Sequence, residues 1–323
     1  MVAAAQEKAG SKSTEPLITA VINNYNYARY LHNAIGSVLR QTYKNIELIV
    51  VDDGSTDHSR EIIASYGDKV TPILTENGGQ AHAVNLAAAA ANGKYVAFLD
   101  SDDFWVPTKI QKMVELADSR PDAEFLYHRY INTGLHGNPM SGAEPVTLLP
   151  ADFSRGYMLS GGSYWHTVMS TIFMRIELLR KIVPIQTYPN REGADSILAD
   201  CAIMMTRLAV HPEGLAYRRI HGENYYAAGR ETHIRSRDIR IGDVRRIEWR
   251  AFCVRQILRR HGIDFDIDLD RNEWRMINLY FLGQATKAQV IRASLGNREH
   301  RLSRRLERLR WVLRTSPQSA MSD

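Results

Sequence analysis

The sequence predicts an α/β fold: a mostly parallel sheet flanked by helices, followed by a helical, basic C-terminal extension. Three observations carry this expectation. Runs dominated by apolar residues at 17–22, 47–51 and 95–99 read as strands buried on both faces, because they leave no face for water. Stretches of helical period alternate with them, which predicts parallel pairing through crossover helices. Each run then stops in a polar cluster: Asn23-Asn24-Tyr25, Asp52-Asp53-Gly54-Ser55 and Asp100-Ser101-Asp102-Asp103. Carboxyl ends of parallel strands share one rim, and open α/β sheets bind their ligands there.

The elements follow in order. After Pro16 the first strand (17–22) leads to a helix over 30–41, with Leu31, Ala34, Ile35, Val38 and Leu39 on one face. A second strand (47–51) precedes a helix over 57–66 that Ser55, Thr56 or Asp57 can cap. Residues 70–74 make a third strand, and Asn77-Gly78-Gly79-Gln80 a turn. The Ala-rich helix 81–91 carries small side chains that permit close approach to a sheet, and Asn92-Gly93 ends it. After the 95–99 strand, Pro107 suits the first turn of a helix reaching 118. Residues 124–130 read as a strand, 132–145 as a Gly, Asn and Pro-rich loop, 170–173 as a strand, and 176–182 and 195–208 as helices. Residues 213–221 read as extended, and 239–260 and 301–314 as Arg-dense helices. Acid and apolar residues alternate over 264–270 without the Gly and terminal Glu of a Ca²⁺ loop, so this is a linker. The expected organisation is a loose extension (1–15), a main domain (16–228, with halves 16–130 and 131–228) and a helical region (229–323).

With 323 residues and 44% hydrophobic content, the chain can bury a substantial core. Its formal charge of +5 is unevenly placed: from Arg230 onward 21 Lys and Arg face 12 Asp and Glu, leaving the preceding part slightly acidic. A nucleic-acid binder would explain the basic end, but carboxylates at strand ends repel phosphate, so no nucleic acid is expected. Cys201 and Cys253 match no metal-ligand spacing and read as packed thiols in a reducing compartment. No apolar run approaches the roughly 18 residues of a spanning helix, and the start lacks the apolar core of a signal peptide. The expected location is the cytoplasm. The basic helices, with Leu302, Leu306, Leu309, Trp311 and Leu313, suit peripheral contact with the inner membrane face, or packing on the main domain or in a homo-oligomer.

Three carboxylates within Asp100-Ser101-Asp102-Asp103 are unfavourable unless a cation or sugar hydroxyls compensate them. Hard oxygen ligands favour Mg²⁺ or Mn²⁺. The same residues also suit a helix start, since Asp and Ser are good N-caps. Tyr25 suits stacking on a planar base or packing at a strand end. Asp53 suits acceptance from a base imide N–H or a place in a turn.

Taken together, these motifs resemble the family 2 glycosyltransferases of the GT-A fold over about residues 17–224. Ser37-Val38-Leu39-Arg40-Gln41-Thr42, followed by the 47–57 stretch ending Asp52-Asp53-Gly54-Ser55-Thr56-Asp57, is similar to that family's opening. Asn77-Gly78-Gly79 through Ala83 and Asn85 resembles its next motif, and Asp100-Ser101-Asp102-Asp103 its DxD region. The resemblance implies a Rossmann-like GT-A architecture, a nucleotide-diphosphate sugar donor, most often a UDP-sugar, and a divalent Mn²⁺ or Mg²⁺. It also implies a single displacement with inversion at the anomeric carbon.

By the same carry-over, Asn23, Tyr25, Asp53, Asn77, Asp100, Asp103 and Arg219 bind the donor, with Tyr25 on uracil and Asp53 at its N3. Asp100, Asp102 and His221 hold the metal, with Asp103 an alternative ligand. Arg218 or Arg219 faces the leaving diphosphate. Asp195 is the base, in Glu192-Gly193-Ala194-Asp195, where Ala194 occupies the place of the usual first acid; Glu192 and Asp200 are the alternatives. His221 lies in Arg219-Ile220-His221-Gly222-x-Asn224, and Trp165 falls where the family places acceptor-facing residues. The implied acceptor is a glycan or lipid-linked glycan hydroxyl. Two other readings stay open: a catalytically impaired nucleotide-sugar or glycan binder, and a sugar nucleotidyltransferase. The second would carry a Gly-rich, basic loop after its first strand, which Asn23-Asn24-Tyr25-Asn26 is not.

Overall fold

A computed structural model describes residues 15–140, 168–186, 193–221, 237–265 and 267–296, with Leu309, Arg310, Val312 and Arg314. The expectations placed on residues 1–14, Trp165, Glu192, the 222–224 end of the histidine motif and most of 301–314 lie outside the described residues.

Strand β1 (Ile18–Asn24) lies between β2 (Ile46–Asp53) and β4 (Tyr95–Asp100), parallel to both. Flanked on both sides, its apolar residues are fully buried, as a continuous apolar run requires. β3 (Thr71–Thr75) forms the outer edge, where Pro72 has no N–H to donate and Leu74 stands exposed. Helices α1 (Ala28–Leu39), α2 (Ser59–Ala64) and α3 (Gln80–Ala90) connect these strands in the predicted alternation. Ala83, Val84, Ala87 and Ala88 bury the inner face of α3 against β1 and β2.

Beyond β4 the parallel rule lapses. The chain continues through β5 (Phe104–Trp105), α4 (Lys109–Ser119), β6 (Ala123–Thr133), β7 (Ile172–Arg175), α5 (Ile176–Ile182), α6 (Ala194–Met205) and β8 (Arg207–Arg219). The eight strands form one mixed sheet in the order β3-β2-β1-β4-β7-β6-β8-β5, with β4–β7, β7–β6 and β8–β5 antiparallel. Two of the boundary differences from the sequence expectation have a cause in the packing. Residues 169–171 form a 3₁₀ turn before β7, because Ser170 gives its carbonyl to the Trp105 indole (3.2 Å) and the Lys109 ammonium (2.9 Å) rather than to a ladder. α6 stops at Met205, and β8 begins at Arg207, well before residue 213, since Leu208 and Ala209 bury as they pair with β6. Pro212 and Glu213 are then extra in the β6–β8 pairing, a bulge between the His128–His211 and Arg129–Gly214 pairs.

The helical region supplies α7 (Arg237–Arg260), α8 (Glu273–Phe281) and α9 (Lys287–Gly296). α7 packs on α6, and its Ala251, Cys253, Val254, Ile257 and Leu258 belong to the main core. A smaller core gathers Met276, Ile277, Tyr280 and Phe281 with Val290, Ala293 and Val312. Both cysteines are buried and unbridged. Among the described residues no helix is long and apolar enough to cross a membrane.

Candidate functional site at the carboxyl rim of the sheet

Parallel registration brings the three polar clusters together. Asn23 lies opposite Asp100 on β4 and Val51 on β2, and Asn24 lies opposite Asp52. Asp52 is fully buried and accepts from Asn24 Nδ2 (2.9 Å), the Ser55 amide (3.1 Å) and Arg60 Nε (2.8 Å), so it anchors the loop. Asp53 accepts the amides of Gly78 (2.8 Å) and Gly79 (2.7 Å) on its two oxygens and thereby clasps the turn before α3. Gly54, at φ +80°, lets the chain pass: a Cβ there would lie 2.5 Å from the Asn77 amide nitrogen. Asn26 adopts φ 58° and accepts from the Thr56 amide (2.7 Å), tying the Tyr25 loop to this loop. Tyr25 is 44% exposed, an open aromatic face on the rim. Both polar atoms of the Asn23 side chain are buried with no partner among the described residues, as a group awaiting a ligand would be.

The acid turn is held from below. The Asp103 amide returns to Asp100 O (3.0 Å), and the two-residue β5 then pairs with β8, Phe104 opposite Tyr217 and Trp105 opposite Ala216. That pairing delivers the end of β8 to the acids. Asp103 accepts from the Arg219 amide (2.9 Å) and Ser170 Oγ (2.6 Å), and His221 Nε2 meets Asp102 Oδ2 at 3.0 Å. The His221 ring packs against Tyr27 and Tyr30. Asp103 is thus turned inward, 2% exposed, as a joint between strands. Asp102 keeps some exposure toward the rim.

Arg219 also faces inward. Its side chain donates to Asp102 O (2.8 Å) and Leu135 O (2.8 Å) and lies over the Tyr30 ring. Arg218, half-buried, is the cation whose field reaches Asp100, Asp103 and Asp195.

Burial pushes the Asp100 carboxyl well above the usual carboxylate range, and the neighbouring charges of Asp103, Asp102 and Asp195 push it further. Asp195 stands in the first turn of α6, within electrostatic reach of Asp100. Burial raises its carboxyl to about 6, against the Ser196 amide, Arg250 and Arg218. Asp200, by contrast, is buried against Arg250 of α7 at 2.6 Å, which explains why it is not on the rim. Ala194 is buried too.

Among the described residues no three carboxylates, imidazoles or thiols stand in ligand geometry. The Asp102–His221 pair with Asp100 nearby is nevertheless a hard oxygen and imidazole set short of positive charge. Mg²⁺-type sites take one or two carboxylates and complete the shell with substrate phosphate. The donor set fits such an ion. Nothing in the sequence pattern singles out Gln80, whose amide bonds to both Asp100 and the start of α6; its only signal is its place after the two glycines.

Known proteins share this chain's sequence pattern and fold. An uncharacterized glycosyltransferase of Nostoc sp. (strain PCC 7120) is 35% identical over 269 residues, covering 81% of this chain and 82% of that protein. The Escherichia coli protein WfaP, a UDP-Glc:alpha-D-GlcNAc-diphosphoundecaprenol beta-1,3-glucosyltransferase, is 37% identical over 131 residues, 38% of this chain and 52% of its own. Among solved structures, S. aureus TarS in complex with UDP-GlcNAc aligns with TM-score 0.56 at 18% identity, covering 92% of this chain and 90% of that one. The mannosyltransferase PcManGT of Pyrobaculum calidifontis, solved with GDP-Man and Mn²⁺, aligns at 0.50 and 18%, covering 93% and 81%. These two show a shared GT-A fold. The profile of Glycosyl transferase family 2 matches residues 19–183, which span the three strand ends, the clasped turn and the acid turn, and the chain belongs to that family.

Proposed function

We propose that this glycosyltransferase moves a sugar, with inversion, from a UDP-sugar to a hydroxyl of a glycan or lipid-linked glycan acceptor. The observation that carries the reading is the meeting of Asp102 with His221 beside Asp100 at the strand ends, with Asp195 in the first turn of the helix that Gln80 ties to Asp100. WfaP uses UDP-Glc and TarS has been solved with UDP-GlcNAc, which supports the choice of donor.

In this reading Tyr25 stacks on the base and Asp53, whose two oxygens keep lone pairs beyond those that clasp the turn, accepts from the base N3, with Asn77 and Asn23 lining the donor. Asp102 and His221, with Asp100, would hold a Mn²⁺ or Mg²⁺ ion, which supplies positive charge against the leaving diphosphate. Arg218 adds charge on the same side. Asp195 accepts the acceptor hydroxyl's proton as that oxygen attacks the anomeric carbon and the bond to the diphosphate breaks. A carboxyl raised toward neutrality by burial is a better base than one in water, yet ionised at neutral pH.

Asp195→Asn tests this. Turnover with an acceptor is expected to fall by about 10²–10⁴-fold, the usual worth of a positioned base. UDP affinity, measured by calorimetry with Mn²⁺, is expected to stay within about threefold, since little uniform binding is lost. Normal turnover in the variant refutes the assignment.

A further inference from the structure

We propose that Gln80 is a positioning residue that couples the acid turn to the start of the base-bearing helix. The proposal rests on the reading of Asp195 as the base. The first amides of α6 have no intrahelical partner, and its N-cap, Gly193 at φ 91°, has no side chain to bond them. Gln80 fills that need from another helix: its Oε1 accepts the amides of Gly193 (3.2 Å) and Ala194 (3.0 Å). Two backbone N–H donors fix which end of the amide is oxygen, so the NH₂ group must point the other way. There it donates to Asp100 Oδ1 at 3.4 Å.

Gln80 is also the first residue of α3, directly after the Gly78-Gly79 pair that Asp53 clasps. A continuous path of hydrogen bonds and chain therefore runs from Asp53 through the turn to Gln80, and from Gln80 to both Asp100 and α6. Asp195 is the second residue of α6, so a shift of that helix end moves its carboxylate directly. Gln80 touches no reacting atom in this account; it sets the distance between the acid turn and the base.

Gln80→Met keeps length and removes both bonding functions. Its kcat is expected to fall by about 10–100-fold, as outer-shell supports and small misplacements of reacting groups do. The KM for the UDP-sugar and UDP affinity with Mn²⁺ should stay within about threefold. Gln80→Asn, too short to reach both partners, provides a second variant and should show the same split. The decisive readout is a double-mutant cycle with single-turnover rates. If Gln80 works through the base, adding Gln80→Met to Asp195→Asn costs less than about twofold. The same loss in both backgrounds, or wild-type kcat in both Gln80 variants, overturns the proposal. Wild-type turnover in Asp195→Asn alone overturns the base assignment and the coupling with it, whereas an additive cycle with an impaired Asp195→Asn overturns the coupling alone.

Discussion

Asp52 and Asp53 are adjacent at the end of β2 and serve opposite directions. One is buried under Arg60 and Asn24, the other clasps the Gly78-Gly79 turn. Gly54 follows because nothing larger fits: Gly54→Ala is expected to destabilise the protein by about 1–3 kcal/mol, through strain at positive φ and collision with Asn77. Urea denaturation measures the cost, and UDP binding should weaken with it. Asp102→Ala is expected to abolish metal-dependent UDP binding in calorimetry with Mn²⁺; unchanged binding removes Asp102 from the ligand set. The sequence singles out the acid stretch Asp100–Asp103, yet three carboxylates within four residues look alike on paper. Which one turns inward depends on where the chain goes next, and that is set by Ser170 and Arg219, residues roughly 70 and 115 positions later.

At the level of elements, β5 is the piece the sequence hid. Two residues, Phe104 and Trp105, are too few to show a period of any kind. Their pairing with β8 nevertheless decides the site, because it carries Arg219 and His221 to the acid turn. Asp103 is the bolt of that joint. Asp103→Ala is expected to cost about 1–3 kcal/mol, the penalty for leaving the buried Arg219 amide and Ser170 hydroxyl without their acceptor. Thermal or urea unfolding reads it directly. Strands β1, β2 and β4 were legible because each buries both faces in a continuous apolar run. β7 was read two residues early, and its antiparallel insertion and the early start of β8 were missed, since that insertion and the bulge at Pro212-Glu213 follow from long-range pairing rather than local pattern.

Over the whole molecule, α7 shares the main core and meets α6 through the buried Asp200–Arg250 pair. Arg250→Ala is expected to destabilise by about 3–5 kcal/mol, because Asp200 is left charged and buried. The sequence attributed the basic helices to a membrane surface or to packing, and could not show that one of them braces the helix carrying Asp195. Stability should also depend on pH through His128. Its ring is fully buried, and burial, then the nearby Lys109, hold its pKa well below the ordinary histidine range. The folded state therefore binds fewer protons than the unfolded chain. This contribution is present above about pH 6.5 and is lost as pH falls below it, by up to about 1.4 kcal/mol per pH unit. Asp195, raised to about 6, works in the opposite sense, so the comparison of wild type with His128→Leu isolates the histidine: the variant should lose less stability between pH 6.5 and 5.

A carboxyl rim that turns over a nucleotide-diphosphate sugar, as proposed above, must release the nucleotide. The most direct measurement is nucleotide release from a panel of UDP-, GDP- and dTDP-sugars with Mn²⁺, run side by side on wild type, Asp102→Ala and Asp195→Asn. Release of UDP from a UDP-sugar is expected from the wild type and lost in both variants, with UDP binding kept only by Asp195→Asn. Release that persists unchanged in Asp102→Ala and Asp195→Asn, or no release from any donor by the wild type, would contradict it.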